Sequence, residues 1–312
     1  MNHKINKNYQ EIKIKTQKWA EEKGLIFKGE GKKAFSSTLP FSLLASLTNP
    51  NFSSENLLWV SKFVFWVFVM DDIVDGDLPE ETQRLEREIF NVIEEKEWNK
   101  FNDESDNLFY AWEEINNQWK MISKNEEMQK RMIYYWEKYY EFSSRLNKIR
   151  SEKKLPSEKE YLDIRVVDGG AYQLFIIGEL ELKDFSYDES NQEIKRLTDI
   201  AALNVAGIND IFSLKKDKSS NELINWIFIV QKQYSLNEEE AINYCKEYLK
   251  KEMIEFKNIS EKITDPSEIS YVEMLKDWMF GHSEWYKYCK RYNENALEKV
   301  EELINQIEQP PK

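Results

Sequence analysis

The stretch FVFWVFVMDDIVD, residues 63–75, runs eight apolar residues, Phe63 to Met70, directly into Asp71, Asp72 and Asp75. It shows no strand-like alternation, and a helix that is apolar around its whole circumference belongs inside a bundle. TDIAALNVAGINDIFSLKKD, residues 198–217, has the same character. Elsewhere helical periodicity recurs between short breaks. Loops are expected around Pro40 and Pro50, Gly76 to Pro79, Asn102 to Asp106, Ser151 to Pro156, Lys183 to Ser190, Lys215 to Asn221 and Thr264 to Pro266. Asp106 to Ile149 is long enough for two helices. Nine Gly and seven Pro are few for 312 residues, which argues against a turn-rich β-sandwich. The expectation is an all-α fold, one domain over residues 1–312, with polar ends before about residue 7 and at Gln309 to Lys312.

Composition narrows the function. Lys and Arg total 44 against 57 Asp and Glu, a formal charge of −13, with no basic cluster; nucleic acid and anionic membranes are poor partners for such a chain. An anionic substrate needs local neutralisation. Aromatic residues make up 14% of the chain, a large supply of broad, flat apolar surface. Cys245 and Cys289 are too few for a disulfide scaffold, so a reducing, cytoplasmic setting is expected. The first fifteen residues have no apolar signal core. Leu57 to Met70 contains Ser61 and Lys62 and is too short to span a bilayer.

The polar residues set into the two apolar helices carry the chemistry. Asp71 and Asp75 lie one helical turn apart, so two carboxylates reach a hard cation from one side. Without a cation they repel each other and lose hydration. Asn209, Ser213 and Asp217 stand at i, i+4 and i+8, a stripe of amide, hydroxyl and carboxylate oxygens suited to Mg²⁺. Each cluster alone also reads as a solvated helix end or as local hydrogen bonding to the backbone.

Taken together the motifs resemble those of the microbial class I terpene synthases, in which an aspartate-rich motif and an N-D-x-x-S-x-x-x-E/D motif hold three Mg²⁺ ions against a prenyl diphosphate. The resemblance implies that Asp71, Asp75, Asn209, Ser213 and Asp217 bind metal, Asp217 standing where Glu is commoner, and that Asp72 pairs with an arginine. Arg165, Asp168 and Gly169 look like the family's diphosphate sensor, linker and effector. The guanidinium fork suits phosphate oxygens, and Asp168 can orient it; Gly169 and Gly170 would interrupt a helix and free carbonyls toward a pocket. Arg291 and Tyr292 resemble a diphosphate-binding Arg-Tyr pair, Lys216 a further phosphate contact, and Trp19, Gly24 and Leu25 an N-terminal W-x-x-x-x-G-L pattern.

The same resemblance implies a helical bundle around a central cavity, with wall candidates Phe65, Trp66, Phe68, Tyr172, Trp278 and Trp285. Phe68 and Trp285 are favoured to face the cation, where an aromatic face contributes about 0.5 to 2 kcal/mol. His282 reads as structural. The expected reaction is Mg²⁺-dependent ionisation of a linear prenyl diphosphate, farnesyl first and geranylgeranyl next, followed by cyclisation to a hydrocarbon or alcohol and release of diphosphate. A prenyl-chain elongating synthase and a non-catalytic helical binding protein are the alternatives. A homodimer is left open.

Overall fold

The structure, a computed structural model, describes residues 5–26, 40–74, 79–94, 96–101, 105–152, 154–219, 224–289 and 292. Among them the regular structure is helical and no strand forms, as the periodicity predicts. No described helix is long and apolar enough to cross a membrane. The chain groups into two compact units, the first up to Trp136 with the residues from Lys287, the second Glu137–Tyr286.

In the first unit, α3 (Ser54–Val74) packs against α1 (Tyr9–Glu22), α2 (Phe41–Thr48), α4 (Pro79–Ile93) and α5 (Asp106–Ile122). Its apolar surface is absorbed by an aromatic cluster. Trp66 lies 4.4 Å from Trp112, Trp59 stacks on Trp119 at 5.3 Å, and Trp136 meets Trp66 edge-on. The indoles of Trp59 and Trp66 donate to the Ile115 and Leu108 carbonyls of α5. A cavity of about 30 Å³ is left beside Trp59, Phe63, Trp112, Trp119 and Trp136, room for a water molecule and little more. Trp66 itself is buried against Trp112 and Trp136.

Lys62 is tolerated inside α3 because Glu114 of α5 takes it at 2.9 Å; Lys23 and the Trp19 indole reach the same carboxylate. Burial acts to raise the Glu114 pKa, but the two lysines outweigh it and hold the carboxyl below its ordinary value. The W-x-x-x-x-G-L pattern is the end of α1. Gly24 takes φ +65° and Leu25 N–H bonds back to Ala20. A Cβ at Gly24 would stand 2.6 Å from the Asn107 amide nitrogen.

The second unit is built on α9 (Gln192–Ser219), which packs against α7 (Glu158–Asp168), α8 (Ala171–Gly178), α10 (Trp226–Tyr234), α11 (Glu238–Ser260) and α12 (Pro266–Trp285). Small residues on α9 let its neighbours approach closely. A Cβ at Gly207 would come within 3.0 Å of the Trp226 ring and 3.1 Å of Leu249. The helix starts are written in the sequence: Ser157, Asn225, Asn237 and Asp265 each cap one, Asn237 in a capping box with Glu240, and Pro266 opens α12.

Three boundaries bear on the reading of the sequence. Asp106 to Ile149 divides into α5 and α6 (Glu126–Glu152), as its length suggested. Lys215 to Asn221 was expected as loop, but α9 continues to Ser219, because Asp217 is buried and bonded back to Ser213. The end of α10 carries no glycine; Ser235 takes the left-handed turn itself, at φ 55°.

Candidate functional site

The centre of the second unit's polar chemistry is Arg165, in the last turn of α7. Its Nε donates to Asp210 Oδ1 at 3.0 Å, its Nη1 to Asp168 at 3.3 Å and its Nη2 to Asn209 Oδ1 at 2.8 Å. Arg165 and Asp168 of the expected diphosphate sensor set and Asn209 of the expected metal stripe are brought together here. Burial acts against the Arg165 charge, but Asp210 and Asp168 outweigh it and lift the pKa well above the ordinary arginine value. A cation held this way is a fixed donor for an anion.

Asp210 was not singled out by the sequence reading. It is buried, and its second oxygen accepts from the Tyr161 hydroxyl and from the Trp226 backbone N–H. Burial, followed by the Asp210 charge, pushes the Tyr161 phenol well above its ordinary pKa, so it stays a donor. These partners lie 45 and 49 residues from Asp210 on one side and 16 on the other.

Immediately beyond Arg165, α7 stops. Gly169 caps it in a right-handed conformation, Gly170 turns left-handed at φ +67°, and α8 starts at Ala171. A Cβ at Gly169 would sit 3.1 Å from the Arg165 carbonyl and 3.4 Å from Ala206 Cβ, whereas at Gly170 the space is open and only the backbone demands glycine. The predicted helix break is present between the two elements.

On α9, Ser213 Oγ donates to Asp217 Oδ2 at 2.6 Å, and Asn225 Nδ2 reaches the same oxygen at 2.9 Å. Lys216 Nζ is 3.9 Å from the other Asp217 oxygen. Asn209, a turn earlier, donates through Nδ2 to the Tyr286 hydroxyl at 2.7 Å. The oxygen donors of the stripe suit a hard cation such as Mg²⁺. Among the described residues no group of three or more His, Cys, Asp or Glu is arranged to hold a metal. The stripe has one carboxylate and two neutral oxygens, so a dication there leaves positive charge to be met by an anionic ligand.

In the first unit, Asp71 is half-buried in the last turn of α3; Phe68, three residues earlier, lies 5.0 Å from the Phe41 ring. Asp72 lies in the same helical turn, its side chain not described. Asp75 and Arg291 lie outside the described residues. Tyr292 donates its backbone N–H to the Cys289 carbonyl. Phe65 packs between Trp19 and Phe41. In the second unit, Trp278 is fully buried beside Phe175, Trp285 is buried beside Tyr286, and the Tyr172 hydroxyl donates to Asp199, whose pKa burial raises. His282 is buried against Tyr286, consistent with a structural residue.

The described residues thus form an all-α protein in which helices set a guanidinium beside a stripe of amide, hydroxyl and carboxylate oxygens. A family model described as "Terpene synthase family 2, C-terminal metal binding" matches residues 62–255. The chain belongs to this family and is a class I terpene synthase. Terpene synthase 4 of Physarum polycephalum is 27% identical, over 94% of this chain and 89% of that protein. The (+)-eremophilene synthase of Sorangium cellulosum (strain So ce56) is 25% identical, over 89% and 86%. In fold, linalool/nerolidol synthase from Streptomyces clavuligerus in complex with 2-fluorogeranyl diphosphate superposes with a TM-score of 0.79 at 12% identity, over 90% of this chain and 99% of that one.

Proposed function

We propose that the chain uses Mg²⁺, three ions with diphosphate bound, to ionise a linear prenyl diphosphate, farnesyl diphosphate first and geranylgeranyl diphosphate next, and cyclises the resulting cation. The observation that carries this reading is Arg165, a partly buried guanidinium fixed at Nε and adjoining both Asp168 and Asn209. The metal ligands in this reading are Asp71 and Asp75 of the aspartate-rich motif and Asn209, Ser213 and Asp217 of the second motif. When bound, Mg²⁺ supplies Lewis-acid stabilisation of the departing diphosphate oxygens.

The chain's own residues do the rest. Arg165 turns its two terminal nitrogens to phosphate oxygens while Asp210 keeps its Nε end in place, with Lys216, Arg291 and Tyr292 adding contacts. These donors favour the leaving group most as its charge develops, which is where binding lowers the barrier. Asp72 and Asp168 orient the cationic side chains. The Gly169 carbonyl, at the α7 break, and the faces of Phe68 and Trp285 stabilise the hydrocarbon cation and do not capture it. Water is excluded until proton loss or water capture ends the sequence. Residues 1–312 form a single α domain in this reading, working in the cytoplasm, where Cys245 and Cys289 stay reduced.

The test is product analysis by gas chromatography and mass spectrometry after incubation with C10, C15 and C20 all-trans prenyl diphosphates, with Mg²⁺ and with EDTA. A Mg²⁺-dependent cyclic product from the C15 substrate is expected. A longer prenyl diphosphate formed on adding isopentenyl diphosphate would identify an elongating enzyme instead.

A further inference from the structure

For Asn209 to serve as a metal ligand it must present its oxygen, and the two ends of an amide are alike in size. In the structure both ends are identified by their partners. A guanidinium only donates, so the atom 2.8 Å from Arg165 Nη2 is Oδ1, and the nitrogen end faces the Tyr286 hydroxyl at 2.7 Å. That hydroxyl is also 3.2 Å from His282 Nε2. Burial, and then the Arg165 charge, push the His282 pKa down to about 3, so the ring is neutral and adds no positive charge beside the amide. A tyrosine hydroxyl carries two lone pairs, and one of them takes the Asn209 Nδ2–H at 2.7 Å. Tyr286 cannot swing aside: it is buried, lies flat on Phe212 at 4.4 Å, and meets His282 and Trp285 at 5.0 and 5.3 Å.

When Arg165 turns to a diphosphate, one of the two constraints on the amide is released. We propose that Tyr286 is a positioning residue for the metal stripe, gripping Asn209 by its nitrogen so that the oxygen stays turned to the cation. This rests on the reading of Asn209 as a Mg²⁺ ligand. A carboxylate, with two equivalent oxygens, needs no such grip, and that difference separates positioning from mere packing.

The experiment is a Mg²⁺ titration of the melting temperature at fixed inorganic diphosphate, for wild type, N209A, N209D, Y286F and Y286F/N209D. Wild type should be stabilised by the two ligands together, and N209A should lose that effect. Y286F should shift the Mg²⁺ midpoint upward by roughly 10- to 100-fold, the usual cost of removing a hydrogen-bond partner of a metal ligand. In the N209D background the same substitution should shift it less than about twofold. An unchanged midpoint in Y286F, or equal shifts in both backgrounds, overturns the positioning role and leaves the metal site standing. No joint stabilisation of wild type overturns the metal reading itself. If Y286F does not fold, a crystal structure of wild type with Mg²⁺ and diphosphate decides: Asn209 Nδ2 within about 3 Å of Tyr286 supports the role, and a metal-bound Asn209 turned away from Tyr286 refutes it.

Discussion

Replacing Asp210 by Asn keeps the shape of the side chain and removes one acceptor and the charge. The remaining oxygen can satisfy Tyr161 and the Trp226 N–H, which lie on one side, or Arg165 Nε on the other. Two bonds outweigh one, so the amide nitrogen ends up against the Arg165 N–H, donor facing donor. Breaking a buried ion pair from one side costs about 3 to 5 kcal/mol. Asp168 still holds Nη1 at 3.3 Å, which places the expected loss near the lower end, about 3 kcal/mol. For a single domain of 312 residues, whose unfolding entropy is about 2.1 cal/mol/K per residue, this corresponds to a melting temperature lower by about 4 to 6 °C. Arg165 also loses the anchor at Nε, so kcat/KM on the prenyl diphosphate should fall about tenfold or more at temperatures where the variant is folded, as for a lost charged hydrogen bond. Differential scanning fluorimetry and steady-state kinetics on the same preparation read both. A variant that melts within about 1 °C of wild type and turns over within about twofold would refute the idea that Asp210 anchors the arginine.

Arg165→Lys should slow turnover by at least about tenfold while folding normally, since an ammonium cannot stay anchored on Asp210 and reach phosphate oxygens with a second, parallel pair of donors; wild-type kinetics would remove Arg165 from the diphosphate site. Asn209→Ala and Asp71→Ala should each abolish product formation with little change in helical circular dichroism, and retained turnover in both would remove the metal assignment. Gly170→Ala should cost about 1 kcal/mol, the backbone strain alone, whereas Gly207→Ala, which meets Trp226 and Leu249, should cost about 1 to 3 kcal/mol; urea unfolding compares them. The folded pKa of His282, about 3, lies below its free value of about 6.5, so acid protonates the unfolded chain first. Its contribution is complete above pH 6.5 and is lost as pH falls toward 3, at up to about 1.4 kcal/mol per pH unit. His282→Gln should flatten that part of the stability profile, and an unchanged slope would show that His282 does not titrate in this range.

What the sequence disclosed follows from what local spacing encodes. The helical class, the split of Asp106 to Ile149, the Asn209, Ser213 and Asp217 stripe and the break at Gly169 and Gly170 depend on neighbours three to eight positions apart, and all could be read directly. Asp210 sits beside Asn209 in the motif, yet its task depends on Tyr161, Arg165 and Trp226, partners that only the packing of α7, α9 and α10 supplies. Tyr286 is 77 residues from the amide it grips, and no periodicity announces such a contact. Trp66 was legible as an aromatic in an apolar helix, but its partners Trp112 and Trp136 on α5 and α6 come from tertiary structure. The extension of α9 to Ser219 was hidden for a related reason: a lysine-rich end reads as solvated loop until Asn225 is seen folding back on Asp217.

Asn225 does two jobs with one side chain. Its oxygen caps α10 by accepting the Ile227 N–H at 2.9 Å, while its nitrogen is tied to Asp217 Oδ2 and to the Asp210 carbonyl, each at 2.9 Å. Whatever draws Asp217 toward a new ligand therefore pulls on the first turn of a helix outside the stripe. The Ile227 amide should act as a remote gauge of that pull, with hydrogen-exchange protection that changes when the stripe is loaded, before any product is made.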